Sequence, residues 1–188
     1  MKLLKWFGFA LVAIIVLFFI MSFNLGTPPD ANFMSGRLNE IERYFVFRDL
    51  SNEEVSTVDV AWQLDHTLKA INNITIALEN SNPADYQINF NLSRTFVFTR
   101  GDFPRGVAQA PASVIPPAKI SNQALLDQLK IARDKLPKMH DLDQNCSYNH
   151  DVFGLLNRDQ TARLIEVHTD HHLKIIRDIL KAEGVEDE

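Results

Sequence analysis

Asn157-Arg-Asp-Gln-Thr-Ala-Arg-Leu-Ile-Glu-Val-His168-Thr-Asp-His171-His172-Leu173 opens a long amphipathic helix. Asn157 has the N-cap residue type, and Gln160 three positions later completes a capping box. Leu164, Ile165, Ile175 and Ile179 form an apolar stripe at helical spacing, and Gly184 supplies a stop, so the pattern predicts a helix from Arg158 to about Glu183. Residues four apart differ by about 40° of net rotation, so His168 and His172 point the same way and can share one ion. They fall on the border of the apolar stripe. His171, about 300° from His168, flanks that face less squarely and stands as the alternative to His172.

Working outward, Ser35 to Phe47 carries apolar residues at Leu38, Ile41, Tyr44 and Phe45 and reads as a first amphipathic helix. Ser51-x-x-Glu54 has the form of a capping box. A long helix is expected from about Thr57 to Asn80, with Val58, Ala61, Leu64, Leu68, Ile71 and Leu78 in rhythm and Pro83 beyond its end. Phe90 to Thr99 (FNLSRTFVFT) is aromatic and β-branched, and fits a strand or a buried helix equally. Gly101 to Pro117 is a Pro- and Gly-punctuated loop expected to lie over the domain. Ser121 to Leu136 is another amphipathic helix, closed by Pro137 and a polar stretch. Four or five helices without strand alternation imply an all-α bundle.

The 188 residues suit one domain plus a short extra segment. A net charge of −5 and the lack of a basic run argue against nucleic acid as a partner. Cys146 is the sole cysteine. That excludes an intramolecular disulfide and any Cys-rich zinc site, so a metal centre must use His and carboxylates.

Trp6 to Phe23 (WFGFALVAIIVLFFIMSF) carries no charge and approaches the roughly 20 residues that cross a hydrocarbon core. It reads as an uncleaved transmembrane helix contacting the lipid bilayer through residues 4–23. A signal peptide would carry a shorter apolar run and a small-residue cleavage site. Lys2 and Lys5 precede the run, and no Lys or Arg follows before Arg37. The expectation is a single pass in the cytoplasmic membrane with the N-terminus inside and the domain periplasmic. This divides the chain into an anchor (1–24), a Pro-rich tether (25–34), a helical domain (35–184) and a tail (185–188).

His66, in Trp62-Gln-Leu-Asp-His66-Thr-Leu-Lys-Ala-Ile, sits between Leu64 and Leu68 on the other long helix. With His168 and His172 it makes a facial set of three imidazoles, the form in which open divalent sites are built. Such a set requires the ligand nitrogens to approach within roughly 4 Å of one another.

These residues resemble the DinB-like superfamily. A His on the second helix and an HxxxH pair on the last match its general pattern. Asn149-His150-Asp151-Val152-Phe153-Gly154 followed by His168-Thr169-Asp170-His171-His172-Leu173 is similar to one branch defined only as a domain of unknown function. The resemblance covers roughly residues 36 to 180. It departs at Gln160-Thr161-Ala162, where a Trp is common, and at Lys174-Ile175-Ile176. It implies a DinB-like four-helix bundle holding a divalent metal ion, zinc or nickel, on His66, His168 and His172. Some superfamily members are thiol-dependent transferases or isomerases, and members often form homodimers.

Around this set, His150 is a candidate proton shuttle on a loop over the bundle mouth. Asp65 and Asp170 adjoin ligand histidines in sequence but belong on other helix faces. Arg100 and Arg105 flank Gly101 as candidate anion contacts. The expected function is a metal-dependent enzyme, a hydrolase or transferase, acting on an unknown small molecule. The alternative is a non-catalytic ligand-binding or metal-sensing bundle at the membrane surface.

Overall fold

The computed structural model describes residues 25–106 and 110–185, with positions 6, 8, 9, 11–13 and 16 nearer the N-terminus. Five α-helices, joined by short 3-10 turns, order residues 25–185: α1 (Ser35–Arg43), α2 (Val60–Glu79), α3 (Leu92–Arg100), α4 (Asn122–Lys135) and α5 (Arg158–Ala182). Helix α2 is the hub and packs along both α4 and α5, while α1 lies against α4 and α5, and α3 leans on α5. Leu64, Leu68, Ile71 and Leu78 of α2 meet Leu125 and Leu129 of α4 and Leu164, Ile176 and Ile179 of α5 in one core cluster.

The helix starts follow local chemistry. Asn157 accepts from the Gln160 amide, and the Gln160 side chain returns to the Asn157 amide, so the capping box at the head of α5 is complete. Ser121 caps α4 through the Ala124 amide. Helix α2 starts later than the pattern suggested, at Val60, because Asp59 rather than the Ser51 motif accepts from the Trp62 amide. Phe90 to Thr99 resolves in favour of helix. Asn91 caps α3, and Gly101 ends it in the left-handed conformation.

The expectation of an all-α, DinB-like four-helix bundle preceded by a transmembrane helix is corrected on two counts. First, the fold includes an antiparallel hairpin of β1 (Ser147–His150) and β2 (Gly154–Asn157), with Ser147 opposite Asn157 and His150 opposite Gly154. Two four-residue strands are too short for an alternating pattern to stand out from a polar stretch. Gly154, at φ +70°, allows the tight reversal. Second, among the described residues no helix is long and apolar enough to cross a membrane. Most of residues 1–24, on which the anchor, its bilayer contact and the periplasmic placement depended, lie outside the described residues.

The segment read as a tether is packed onto the domain. Pro29 and Met34 are buried and Leu25 lies against the core. Gly26 passes so close to the head of α5 that a Cβ there would lie 2.3 Å from the Asp159 carbonyl carbon.

Candidate metal centre

His66 projects from the middle of α2 and His168 and His172 from the middle of α5, the two helices that pack most extensively together. His66 and His172 are buried and His168 is half-buried. One ligand nitrogen from each of the three lies within 4.8 Å of the others, wider than the roughly 4 Å a shared ion requires, so His66 must close by under about 1 Å to join the pair. His168 Nε2 and His172 Nε2 are 3.2 Å apart, and the His66 ring centre is 5.2 Å from that of His168 and 4.7 Å from that of His172. Two nitrogens on one tetrahedral ion, with bonds near 2 Å, stand about 3.3 Å apart. The His168–His172 pair already has that spacing.

The rings are held from behind. His66 Nδ1–H donates to the Val114 carbonyl at 3.0 Å, and the ring stacks on Trp62. His172 Nδ1–H donates to Gln63 Oε1 at 2.6 Å. Gln63 cannot turn its amide around freely, because its Nε2 donates to Ser56 Oγ. With Nδ1 protonated, both rings present Nε2 as a lone pair, the tautomer that ligates metal. Oriented acceptors behind metal-binding imidazoles are a recurring support for such sites.

Burial keeps these rings neutral. It lowers the His66 pKa against the opposing pull of the Val114 hydrogen bond. It lowers His172 well below the usual value, with His168 adding to the effect. His168 falls to about 3, through burial first and the neighbouring His66 second. Three neutral nitrogens converging in a site that excludes positive charge on imidazole form a donor set for a divalent ion.

His171 takes another direction. Its Nδ1 meets Asp102 Oδ1 at 3.4 Å, and Lys174 holds the other Asp102 oxygen. His150 ends β1 and lines the same cavity as the three histidines. Its Nδ1 accepts the amide N–H groups of Val152 and Phe153 at 3.1 and 3.3 Å, so its proton resides on Nε2. The ring stacks on Phe153, and burial lowers its pKa.

The two aspartates next to ligand histidines are engaged elsewhere. Asp65 is buried, not solvent-facing, and binds Lys69 and the Gln128 amide. Asp170 forms a two-pronged pair with Arg37. Arg105 pairs with Asp178 at the surface, and Arg100 is exposed at the end of α3.

The cavity beside the histidines has a volume of about 830 Å³. Trp62 and Ile74 of α2, Val97 of α3, Phe103 and Val114 of the Pro-rich loop, Phe153 of the hairpin turn and Leu164 of α5 form its walls. The loop therefore covers the domain as expected and completes the site. Sequence reasoning missed Gln63 and Val114. Gln63 was within reach, since it precedes His66 by three positions and shares its helix face. Val114 carried no local signal.

No family model matches the chain, and neither a curated protein nor a solved structure matches it.

Proposed function

We propose that this protein is a metal-dependent enzyme, a hydrolase or transferase, with a divalent ion on His66, His168 and His172. The observation that carries this reading is the convergence of three neutral imidazoles, two of them fixed by Nδ1–H donation, at the edge of a largely apolar cavity. A purely structural centre would close the fourth position with a protein ligand, as structural zinc sites do. Here the three-histidine group borders open space, and among the described residues no fourth ligand joins it.

Zinc and nickel both suit three imidazole nitrogens. The bound ion would supply Lewis acidity toward a polar substrate atom. The chain's own residues do the rest. Gln63 and the Val114 carbonyl orient two of the ligands, and the apolar walls exclude water. His150 holds a proton at Nε2 in the same cavity, placing a neutral N–H donor where a leaving group or developing anion would be met. The similarity of the His150 to Gly154 and His168 to Leu173 segments to the DinB-like superfamily supports the same reading from sequence.

The test is metal content. The full chain, produced without an affinity tag and purified without chelator, is analysed by plasma mass spectrometry beside His172→Ala. Near-stoichiometric zinc or nickel that drops sharply in the variant is the expected result. Negligible metal in both proteins, persisting after incubation with either ion, would overturn the proposal.

A further inference from the structure

The cavity has a chemistry of its own beyond the ion. Its volume of about 830 Å³ falls in the range of small-molecule sites, roughly 300–1,000 Å³. The lining includes no lysine or arginine. The exposed part of the lining is mainly apolar, with Asn73, Ser93, Ser113 and Asp151 as its polar members. His66 and His172 are 4% and 8% exposed, whereas Leu92, Phe96 and Val152, which also line the cavity, are 63%, 57% and 53% exposed. His66 and His172 are thus at the inner end, with the half-buried His168 beside them, and the mouth is largely apolar. Apolar side chains gathered on a surface around a cavity mark a place where an apolar ligand is handled.

We propose that the site takes a single-chain amphiphile, with an alkyl or arylalkyl tail lying along the Phe96, Phe103 and Phe153 walls and an anionic oxygen-donor head, a carboxylate in the simplest case, at the three-histidine centre. This rests on the metal reading above. A carboxylate buried in an apolar cavity is expensive without a countercharge, and the lining supplies no cationic side chain. Three neutral imidazoles leave the full double charge of a divalent ion to be met by the ligand. A carboxylate meets one of those two charges, whereas a zwitterionic head would bring an ammonium whose sole acidic neighbour in the lining is the exposed Asp151. A small polar substrate would leave the apolar space unfilled.

The experiment uses the full chain. Zinc is titrated first, alone, to one equivalent. Hexanoate, octanoate, decanoate and dodecanoate are then titrated calorimetrically into the zinc-loaded and zinc-free protein, with dodecanol as the tail without the charge. Affinity for zinc-loaded protein is expected to rise about two- to fourfold per added methylene. Dodecanoate should bind at least tenfold more weakly without zinc, and dodecanol equally with and without it. Ser93→Trp and Phe96→Asp alter exposed positions at the mouth and should each weaken dodecanoate about tenfold while zinc affinity stays unchanged. If zinc binds but affinity does not rise with chain length, or both mouth variants bind dodecanoate as the parent does, the amphiphile inference is overturned and the metal reading stands. Nickel replaces zinc if zinc is not taken up; if neither ion is taken up, the metal reading and the amphiphile inference that rests on it both fail, and that is known before any amphiphile is added.

Discussion

Replacing Gln63 by leucine isolates the support of the centre from its ligands. Gln63 is 3% exposed, and its Oε1 accepts from His172 Nδ1 at 2.6 Å. Leucine fills nearly the same volume and removes only the acceptor. Loss of such a partner behind a metal ligand typically costs 10–100-fold in affinity, about 1.4–2.7 kcal/mol. Without metal, the orphaned Nδ1–H costs about 1–3 kcal/mol, offset in part by the added apolar contact. For a chain of this size each kcal/mol moves the unfolding midpoint by about 2–4 °C. Gln63→Glu keeps an acceptor at the same place and should hold zinc at least as tightly as the parent. Affinity is read by competition with a chromophoric chelator, and stability by thermal unfolding in excess chelator. A folded Gln63→Leu protein that binds zinc as the parent does would refute the claim that this hydrogen bond orients the centre.

Other consequences follow from burial and close packing. The three ligand histidines have folded-state pKa values below the ordinary 6.5. The unfolded chain therefore takes up more protons as pH falls. Metal-free stability should be full above about pH 6.5 and decline by up to about 1.4 kcal/mol per pH unit for each histidine, toward about 3 for His168. Urea unfolding in chelator between about pH 7.5 and 4.5 measures this, and a flat profile would contradict neutral burial of the triad. Gly26→Ala forces a methyl against the Asp159 backbone. It should lower the unfolding midpoint by several degrees (roughly 1–3 kcal/mol of overpacking), and an unchanged midpoint would show that residues 25–34 do not brace α5. Arg94, fully buried, donates to the Asn89, Phe153 and Leu155 carbonyls. Arg94→Met should cost about 1–3 kcal/mol by orphaning the buried Phe153 carbonyl and loosening the half-buried contact to Asn89. It should also speed amide exchange in the hairpin, and native protection there would count against Arg94 holding the hairpin to α3.

Local signals carried much of the helical layout. The Asn157–Gln160 capping box, the apolar rhythm of α2 and α5 and the punctuation by Pro83 and Gly184 are all short-range, so the chain states them directly. The same holds for His168 and His172, whose shared face follows from helical pitch. The aromatic run at Phe90 to Thr99 was undecided because apolar residues stand on both its buried face (Val97, Phe98) and its exposed face (Leu92, Phe96), which erases periodicity; the Asn91 cap and Gly101 stop bound it as a helix. The hairpin escaped notice because each strand is only four residues long. His171 and His172 were both open as ligands until the loop placed Asp102 beside one and α2 placed Gln63 beside the other.

What the sequence alone determined is therefore helices α1, α2, α4 and α5, the type of donor available and the pairing of two histidines one turn apart. Tertiary structure decided the rest: that His66 meets that pair, that Gln63 supports a ring 109 residues away, and that a loop carbonyl at Val114 sets the tautomer of another. The physical reason is range. Capping and periodicity act within a turn or two of chain. The direction of a lone pair and the walls of a cavity depend on which distant surfaces the core brings into contact.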